Sequence, residues 1–454
     1  MFNRNISIIL FFLVTTFCYS QNKNAEYYNN LGKSKFDSSD FKGAIKDYNK
    51  AIEINPQYAD AYNNRGNAKS DLQDYRGAIA DYNKAIEIYP QDADAYFNRG
   101  FAKGKLEDYH GEIEDYNKAI EINPQDAEAY YNRGIAKDDL EDYRGAISDY
   151  NKAIEINPQD AKAYINRGFA ELELEDYRGA IADYNKAIEI NPQYTKAYFN
   201  RGFAKGKLED YHGEIEDYNK AIEINPKYAD AYNNRGIAKG KLEDYHGEIE
   251  DYSIAIEINP QDADAYINRG MAKADFYYYD TVSAILDYNR AIEIDPYNFD
   301  AYYNRGIAKH QIAFKNHRNE KKYLDNYNRS AILDFNRAIK IYPNYTDAYI
   351  MRGYAKRELD DYIGAIKDFN KAIEIDPYNA TIYLDRGYAK RELDDHIGAI
   401  KDFIKVIKID PFLSANAYFA LTFNIFSEYI YYIIILIVLL SVSPRIFKYI
   451  QIKI

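Results

Sequence analysis

The chain has 454 residues and a formal net charge of −13, with 50 tyrosines, no tryptophan and one cysteine. This acidic balance argues against general nucleic-acid binding, because phosphate recognition needs a basic surface. The single cysteine, Cys18, excludes a disulfide within the chain.

The first twenty residues have the pattern of a secretory signal peptide. Arg4 precedes an apolar run over residues 6–17, and small and polar residues come next, up to Ser20. We therefore predict a signal peptide over residues 1–20 and export of the rest of the chain. Lipid attachment at Cys18 is the rival interpretation, which the bulky Phe17 disfavours.

Beyond the leader, prolines recur with a period of 34 residues, with two longer steps of 36 and 47. A fixed period of this length is typical of a stacked repeat array, in which each proline ends one unit. The prolines are Pro56, Pro90, Pro124, Pro158, Pro192, Pro226, Pro260, Pro296, Pro343, Pro377 and Pro411.

Each unit has the pattern of two amphipathic helices. Apolar and small residues recur at helical spacing in two blocks, and an aspartate such as Asp74 stands at the break as a helix N-cap. We predict eleven units over residues 25–413, and positions are counted from the first residue of each. The units start at residues 25, 59, 93, 127, 161, 195, 229, 263, 299, 346 and 380.

The aromatic and glycine positions predict the core. Position 4 is always tyrosine, position 24 is tyrosine or phenylalanine, and position 8 is always glycine, as at Gly202. Because glycine costs roughly 1 kcal/mol relative to alanine inside a helix, its recurrence indicates a neighbouring helix too close for a side chain.

With alanines at positions 20 and 27 and proline at position 32, this pattern resembles the tetratricopeptide repeat. The resemblance covers all eleven units. It implies an all-α fold, a right-handed superhelical solenoid of antiparallel helix pairs, whose first helices line a concave groove that binds peptides or proteins.

Two charged positions depart from the family pattern. Position 7, usually leucine, is arginine in ten units, and position 23 is aspartate in all eleven. An Arg–Asp ladder between paired helices is one interpretation, and two solvated charges are the other. The arginines are Arg65, Arg99, Arg133, Arg167, Arg201, Arg235, Arg269, Arg305, Arg352 and Arg386.

Position 6, which faces the groove in the resembled family, is asparagine in nine successive units. Asparagine amides can both donate to and accept from an extended peptide backbone. The alternative is that these amides remain hydrated. The predicted groove residues are Asn64, Asn98, Asn132, Asn166, Asn200, Asn234, Asn268 and Asn304, with Phe97, Tyr131 and Phe199 at position 5.

The two longer steps are insertions between the helices of a unit, near residues 277–281 and within residues 310–329. Past the array, residues 414–428 are predicted as a capping or juxtamembrane segment. Residues 429–444 lack charge and predict a transmembrane helix, before a basic tail over residues 445–454. This pattern predicts a periplasmic or extracellular array with a cytoplasmic tail, whereas an apolar capping helix is the alternative.

No nucleophile motif, phosphate-binding loop or metal-ligand spacing occurs, so we expect neither enzymatic activity nor a cofactor. The predicted function is an exported, membrane-anchored scaffold that binds protein or peptide partners and no nucleic acid. A self-assembling structural surface protein is the alternative, with self-association between copies.

Overall fold

A computed structural model describes residues 23–276, 280–315 and 321–410. These residues form helices joined by short turns, with no strand among them. The predicted signal peptide and everything after residue 410, including the predicted membrane helix, lie outside the described residues. No helix within the described ranges is long and apolar enough to cross a membrane.

The chain divides into two compact units, which join at Pro226 and Lys227. Each is a stack of antiparallel helix pairs, as the sequence predicts. In the first unit the helices are α1 (residues 23–37), α2 (Phe41–Ile54), α3 (Ala59–Asp71), α4 (Tyr75–Ile88), α5 (Ala93–Gly104), α6 (Tyr109–Ile122), α7 (Ala127–Asp138), α8 (Tyr143–Ile156), α9 (Ala161–Glu173), α10 (Tyr177–Ile190), α11 (Thr195–Lys207) and α12 (Tyr211–Ile224).

The second unit continues the same arrangement with longer helices at the second insertion. Its helices are α13 (Ala229–Lys241), α14 (Tyr245–Ile258), α15 (Ala263–Phe276), α16 (Thr281–Ile294), α17 (Phe299–Lys315), α18 (Lys321–Ile341), α19 (Thr346–Arg357), α20 (Tyr362–Ile375), α21 (Ala380–Arg391) and α22 (His396–Ile409).

The predicted aspartate caps are present at most second helices, whereas Asp280 before α16 makes no side-chain cap bond. Asp74 accepts a hydrogen bond from the backbone N–H of Gly77, which satisfies one unpaired donor of the first turn of α4. The residue before this cap, Gln73, has a φ of 63°. Glu209, before the cap Asp210, has the same φ, so this turn uses a left-handed residue without glycine.

Close helix packing confirms the prediction for the recurring glycine. A Cβ added to Gly202 would lie 3.0 Å from the ring of Tyr218 and 3.2 Å from the backbone oxygen of Glu214, both on the paired helix. Tyr218 is fully buried, together with alanines such as Ala204 and Ala221. Small residues therefore let the two helices close around one aromatic ring per repeat.

Within each unit, first helices of successive pairs also touch one another, as α5 touches α7 and α15 touches α17. This contact places the first helices together along one side of the stack, here called the inner face. Second helices lie behind them and pack between consecutive first helices. Position 6 and position 9 of each repeat lie on first helices, and in the second unit Asn268 and Met271 line the same depression of this side.

Candidate functional site

The asparagines at position 6 lie half-exposed on the first helices, and several of them connect neighbouring repeats. The Nδ2 of Asn64 donates to Oδ1 of Asn29 at 3.0 Å, and that of Asn98 donates to Asn63 at 3.2 Å. An amide has two N–H donors and a carbonyl acceptor, so one such bond leaves capacity for a peptide backbone.

The same contact recurs with other partners farther along the chain. Asn166 donates to the hydroxyl of Tyr131 at 3.0 Å, and in the second unit Asn268 donates to Asn233 at 3.1 Å. These bonds join position 6 to position 5 of the preceding repeat. The asparagine row therefore also fastens adjacent first helices, a structural role that the sequence pattern did not suggest.

Two asparagines of the row hydrogen-bond within their own helix. Asn132 donates to the carbonyl of Glu128 at 2.9 Å, and Asn304 donates to that of Asp300 at 3.0 Å. Asn200 and Asn234 share the half-exposed environment of the others. All eight predicted groove asparagines thus lie on first helices, with part of each residue accessible to solvent.

The predicted aromatic residues at position 5 pack against the aromatic ring at position 24 of the same repeat. Phe97 packs on Tyr116 with ring centroids 5.4 Å apart, and Phe199 packs on Tyr218 at 5.6 Å. Tyr131 has the equivalent contact with the aromatic ring at position 24 of its own repeat. These rings are half-buried, so one edge contributes to the core while the other remains accessible.

Position 9 adds a more exposed apolar row. Phe101, Phe169, Ile237 and Met271 are exposed by 40%, 44%, 40% and 38%, which is high for large apolar side chains in a packed array. An apolar row beside amides that can donate and accept suits an extended peptide with apolar side chains. The arrangement offers contact area and backbone hydrogen bonding.

In the second unit, part of the inner face deepens into a cavity of about 540 Å³. Ile267 and Met271 supply apolar lining, and the amides of Asn268 and Asn304 lie at its wall. Tyr345 also lines it. Sequence reasoning missed Tyr345, because this tyrosine precedes α19 and does not belong to the helical pattern of the groove.

Behind the inner face, the predicted Arg–Asp ladder is present. In the repeat beginning at residue 195, Arg201 donates through Nε to Oδ2 of Asp217 at 2.9 Å and through Nη2 to Oδ1 at 2.5 Å. The Asp217 side chain is 3% exposed, and the guanidinium lies 5.4 Å from the ring of Tyr198. A bidentate, buried pair of this kind excludes the interpretation of two solvated charges.

The ladder contains two further partners that the sequence analysis did not identify. Lys205, at position 11, contacts Oδ2 of Asp217 at 2.8 Å, so this aspartate has two cations. The Nη1 of Arg201 donates at 2.6 Å to Asn185, on the second helix of the preceding repeat. Lysine recurs at position 11 and asparagine at position 25, and this recurrence could have identified both partners from the sequence.

In three repeats a glutamate replaces the usual alanine at position 20. Glu112 and Glu214 are buried, and Glu248 is half-buried. Glu214 accepts a hydrogen bond from the hydroxyl of Tyr218 at 3.1 Å, and its carboxylate occupies the space beside Gly206. A Cβ at Gly206 would lie 2.5 Å from that carboxylate, so the glycine makes room for it. Desolvation raises the pKa of Glu214 to about 7.

Within the described residues, no group of three or more His, Cys, Asp or Glu side chains could hold a metal ion. The titratable groups with large pKa shifts are buried carboxylates and tyrosines that pack between helices. They face neighbouring side chains of the array, and two of them, Tyr303 and Tyr345, line the cavity of the second unit.

Comparison with family models identifies tetratricopeptide repeats across more than half of the chain. The model described as a TPR repeat matches residues 33–72, 66–107, 105–137, 170–209, 207–243, 283–312 and 353–394. Related tetratricopeptide repeat models match residues 127–160, 149–182, 229–262 and 380–412. No curated protein matches the chain.

Solved structures of similar proteins include YrrB, described as a TPR protein with an unusual peptide-binding site. It is 27% identical, and the match covers 40% of this chain and 95% of YrrB with a TM-score of 0.38. MamA is 27% identical over 38% of this chain and 95% of its own, with a TM-score of 0.36. Yeast Tom70 is 15% identical over 89% and 95%, with a TM-score of 0.41.

Proposed function

This chain belongs to the tetratricopeptide repeat family, and on that premise we propose that it is a non-enzymatic scaffold that holds extended segments of partner proteins. The observation that carries the proposal is the inner face itself. Half-exposed asparagine amides at position 6 run beside exposed apolar side chains at position 9. Amides match any peptide backbone, so such a face tolerates many sequences.

Binding of short peptides tests this function directly. We would measure fluorescence anisotropy of the full chain with pooled peptides of about ten residues, which span about 33 Å when extended. Replacing Asn132, Asn166 and Asn200 together by alanine should weaken binding at least tenfold, because three lost hydrogen bonds of about 0.5–1.5 kcal/mol each remove about 1.5–4.5 kcal/mol.

The matched control replaces the asparagines of position 25, Asn117, Asn151 and Asn185, by alanine. These residues lie on second helices and accept hydrogen bonds from the ladder arginines, so their loss perturbs the stack without altering the inner face. Binding should remain near that of the unchanged chain. Equal weakening in both triple variants would contradict the groove assignment, and no binding by the unchanged chain would contradict the function.

We also propose that the repeats are exported and held at a membrane by residues 429–444. Support comes from the leader pattern over residues 1–20 and from Arg445, Lys448 and Lys453 after the apolar segment. The full chain should stay in the membrane pellet at alkaline pH, and a variant ending at Ser427 should leave it. External protease should digest the repeats in intact cells. Release of the full chain from the membrane at alkaline pH, or resistance of the repeats to external protease, would contradict this placement.

A further inference from the structure

The cavity of the second unit differs from the rest of the inner face in its charge. Two carboxylates from successive repeats, Asp264 and Asp300, line it, and the lining residues include no lysine or arginine. The ladder aspartate of the same repeat as Asp264, in contrast, has two cationic partners. The cavity therefore presents negative charge that the described residues lining it do not neutralise.

Tyrosine rings form one side of the same cavity. Tyr303 and Tyr345 pack against each other with ring centroids 4.7 Å apart and ring planes inclined by 48°, and the hydroxyl of Tyr345 donates to Oδ1 of Asp300 at 3.3 Å. Aromatic faces attract cations, and the effect increases as water is removed. Desolvation raises the pKa of Asp300, the hydrogen bond from Tyr345 partly opposes this, and the nearby charge of Asp264 raises the pKa further. A bound cation would offset both increases.

The remaining lining residues indicate which kind of cation fits the cavity. Asn233, Asn268 and Asn304 bring amides to the cavity, and Met271 adds apolar surface. Because apolar side chains line the cavity beside the two carboxylates, an organic cation with an alkyl stem matches the lining. A segment that lies along the asparagine row would direct a side chain into this volume.

We infer that the cavity lined by Asp264, Asp300 and Tyr345 binds a lysine or arginine side chain of the extended segment held on the inner face. This inference rests on the proposed peptide binding and adds a preference for positive charge at one place. In the first unit, Lys162 and Lys196 stand at the repeat position of Asp264, so that part of the inner face lacks a continuous acidic row.

The test compares peptide pools that share randomised flanks and differ only at the central residue. Arginine, lysine, citrulline and glutamate are the four central residues, and citrulline is the neutral counterpart of arginine. The full chain should bind the arginine and lysine pools about tenfold more tightly than the citrulline pool. In the double variant Asp264→Asn with Asp300→Asn, this preference should disappear while citrulline binding persists.

The matched control is the double variant Asp60→Asn with Asp94→Asn, at the same repeat position in the first unit. It removes the same formal charge and should retain the preference for arginine and lysine. Circular dichroism of each variant verifies that the helices are intact. Equal binding of all four pools, or equal loss of preference in both double variants, would overturn this inference alone. Absence of binding to every pool would overturn the proposed function as well.

Discussion

Two adjacent repeats of the first unit differ in the Arg–Asp ladder. We call the arginine at position 7, the aspartate at position 23 and the residue at position 11 of one repeat a rung of this ladder. In the repeat beginning at residue 195, Arg201 and Lys205 both contact the buried Asp217. In the repeat beginning at residue 161, Arg167 contacts Asp183 in the same bidentate manner, but the lysine position is Glu171. The first site therefore has two cations and one carboxyl group, and the second has one cation and two carboxyl groups.

The difference shows how a repeat array can contain a locally weaker site without any change of fold. Oε2 of Glu171 is buried and has no hydrogen-bond partner. Desolvation raises the pKa of Glu171 to about 7, and the charge of Asp183 contributes further. The helices keep their positions because Tyr184 and the alanines around it pack as in the regular repeat.

The largest expected effect is the loss of the ladder aspartate from the regular repeat. Asp217→Ala leaves Arg201 and Lys205 without their buried anion and should lower local stability by about 3–5 kcal/mol. Asp183→Ala should cost only about 1–2 kcal/mol, because Glu171 can then pair with Arg167. Hydrogen exchange resolved by repeat measures both. Equal losses would mean that Glu171 does not alter the rung.

Packing should not distinguish the two repeats. Gly202→Leu and Gly168→Leu both drive a side chain into the paired helix, where a Cβ would already lie 3.0 Å and 2.9 Å from a tyrosine ring. Each should lower stability by about 3 kcal/mol and loosen the local helices. Urea denaturation followed by circular dichroism measures the losses. A clearly smaller loss at either position would place a difference in the core and not in the ladder.

Restoring the lysine should strengthen the weaker rung. Glu171→Lys removes a buried carboxylate and supplies the second cation, so we expect a gain of about 1 kcal/mol or more at neutral pH. Lys205→Glu in the regular repeat is the reciprocal change and should produce a loss. Thermal melting of both variants checks the signs. A loss on Glu171→Lys would contradict the charge argument.

The weaker rung should also depend on pH. The folded-state pKa of Glu171 lies above its ordinary value of 4.5, so its protonated form favours folding. Its contribution is fully present below pH 4.5 and is lost as pH rises towards about 7. Glu112 and Glu214 have the same direction of shift, so the difference between Glu171→Gln and the unchanged chain isolates Glu171. Parallel pH profiles would contradict this.

The smallest effect concerns the turn that both repeats share. Glu175 and Glu209 have φ values of 62° and 63°, a conformation that favours glycine. Glu175→Gly and Glu209→Gly should each stabilise their repeat by about 0.5–1 kcal/mol, as measured by urea denaturation. A gain in only one of them would show that the two repeats differ in the backbone as well.

Much of the fold was predictable because each repeat encodes its own ends and its own core. Asp74 as a cap, Gly202 against a ring and Arg201 paired with Asp217 all involve residues that recur at fixed positions. Each contact lies within one helix pair. Helical spacing therefore indicates which face of each helix these residues occupy, although for Arg201 and Asp217 it left two solvated charges as the alternative.

Contacts between repeats were less predictable, because they depend on how one helix pair is rotated against the next. The bond from Arg201 to Asn185 and the bond from Asn166 to Tyr131 both cross a repeat boundary. The cavity residue Tyr345 is the last residue of the repeat that begins at residue 299, and it contacts Asp300 near the start of that repeat, outside any helical spacing. Periodicity locates such residues in sequence but does not specify their partners.

The arginine-to-asparagine bond has a consequence for how the chain can change length. A regular repeat carries both the arginine that donates backwards and the asparagine that accepts from the repeat after it, and Arg99 with Asn83 illustrates the bond. When recombination adds or removes a whole repeat, the arginine and the asparagine at the new junction can therefore still form this hydrogen bond. Residues 95–124 and 197–226 are identical, which is the trace that such copying would leave.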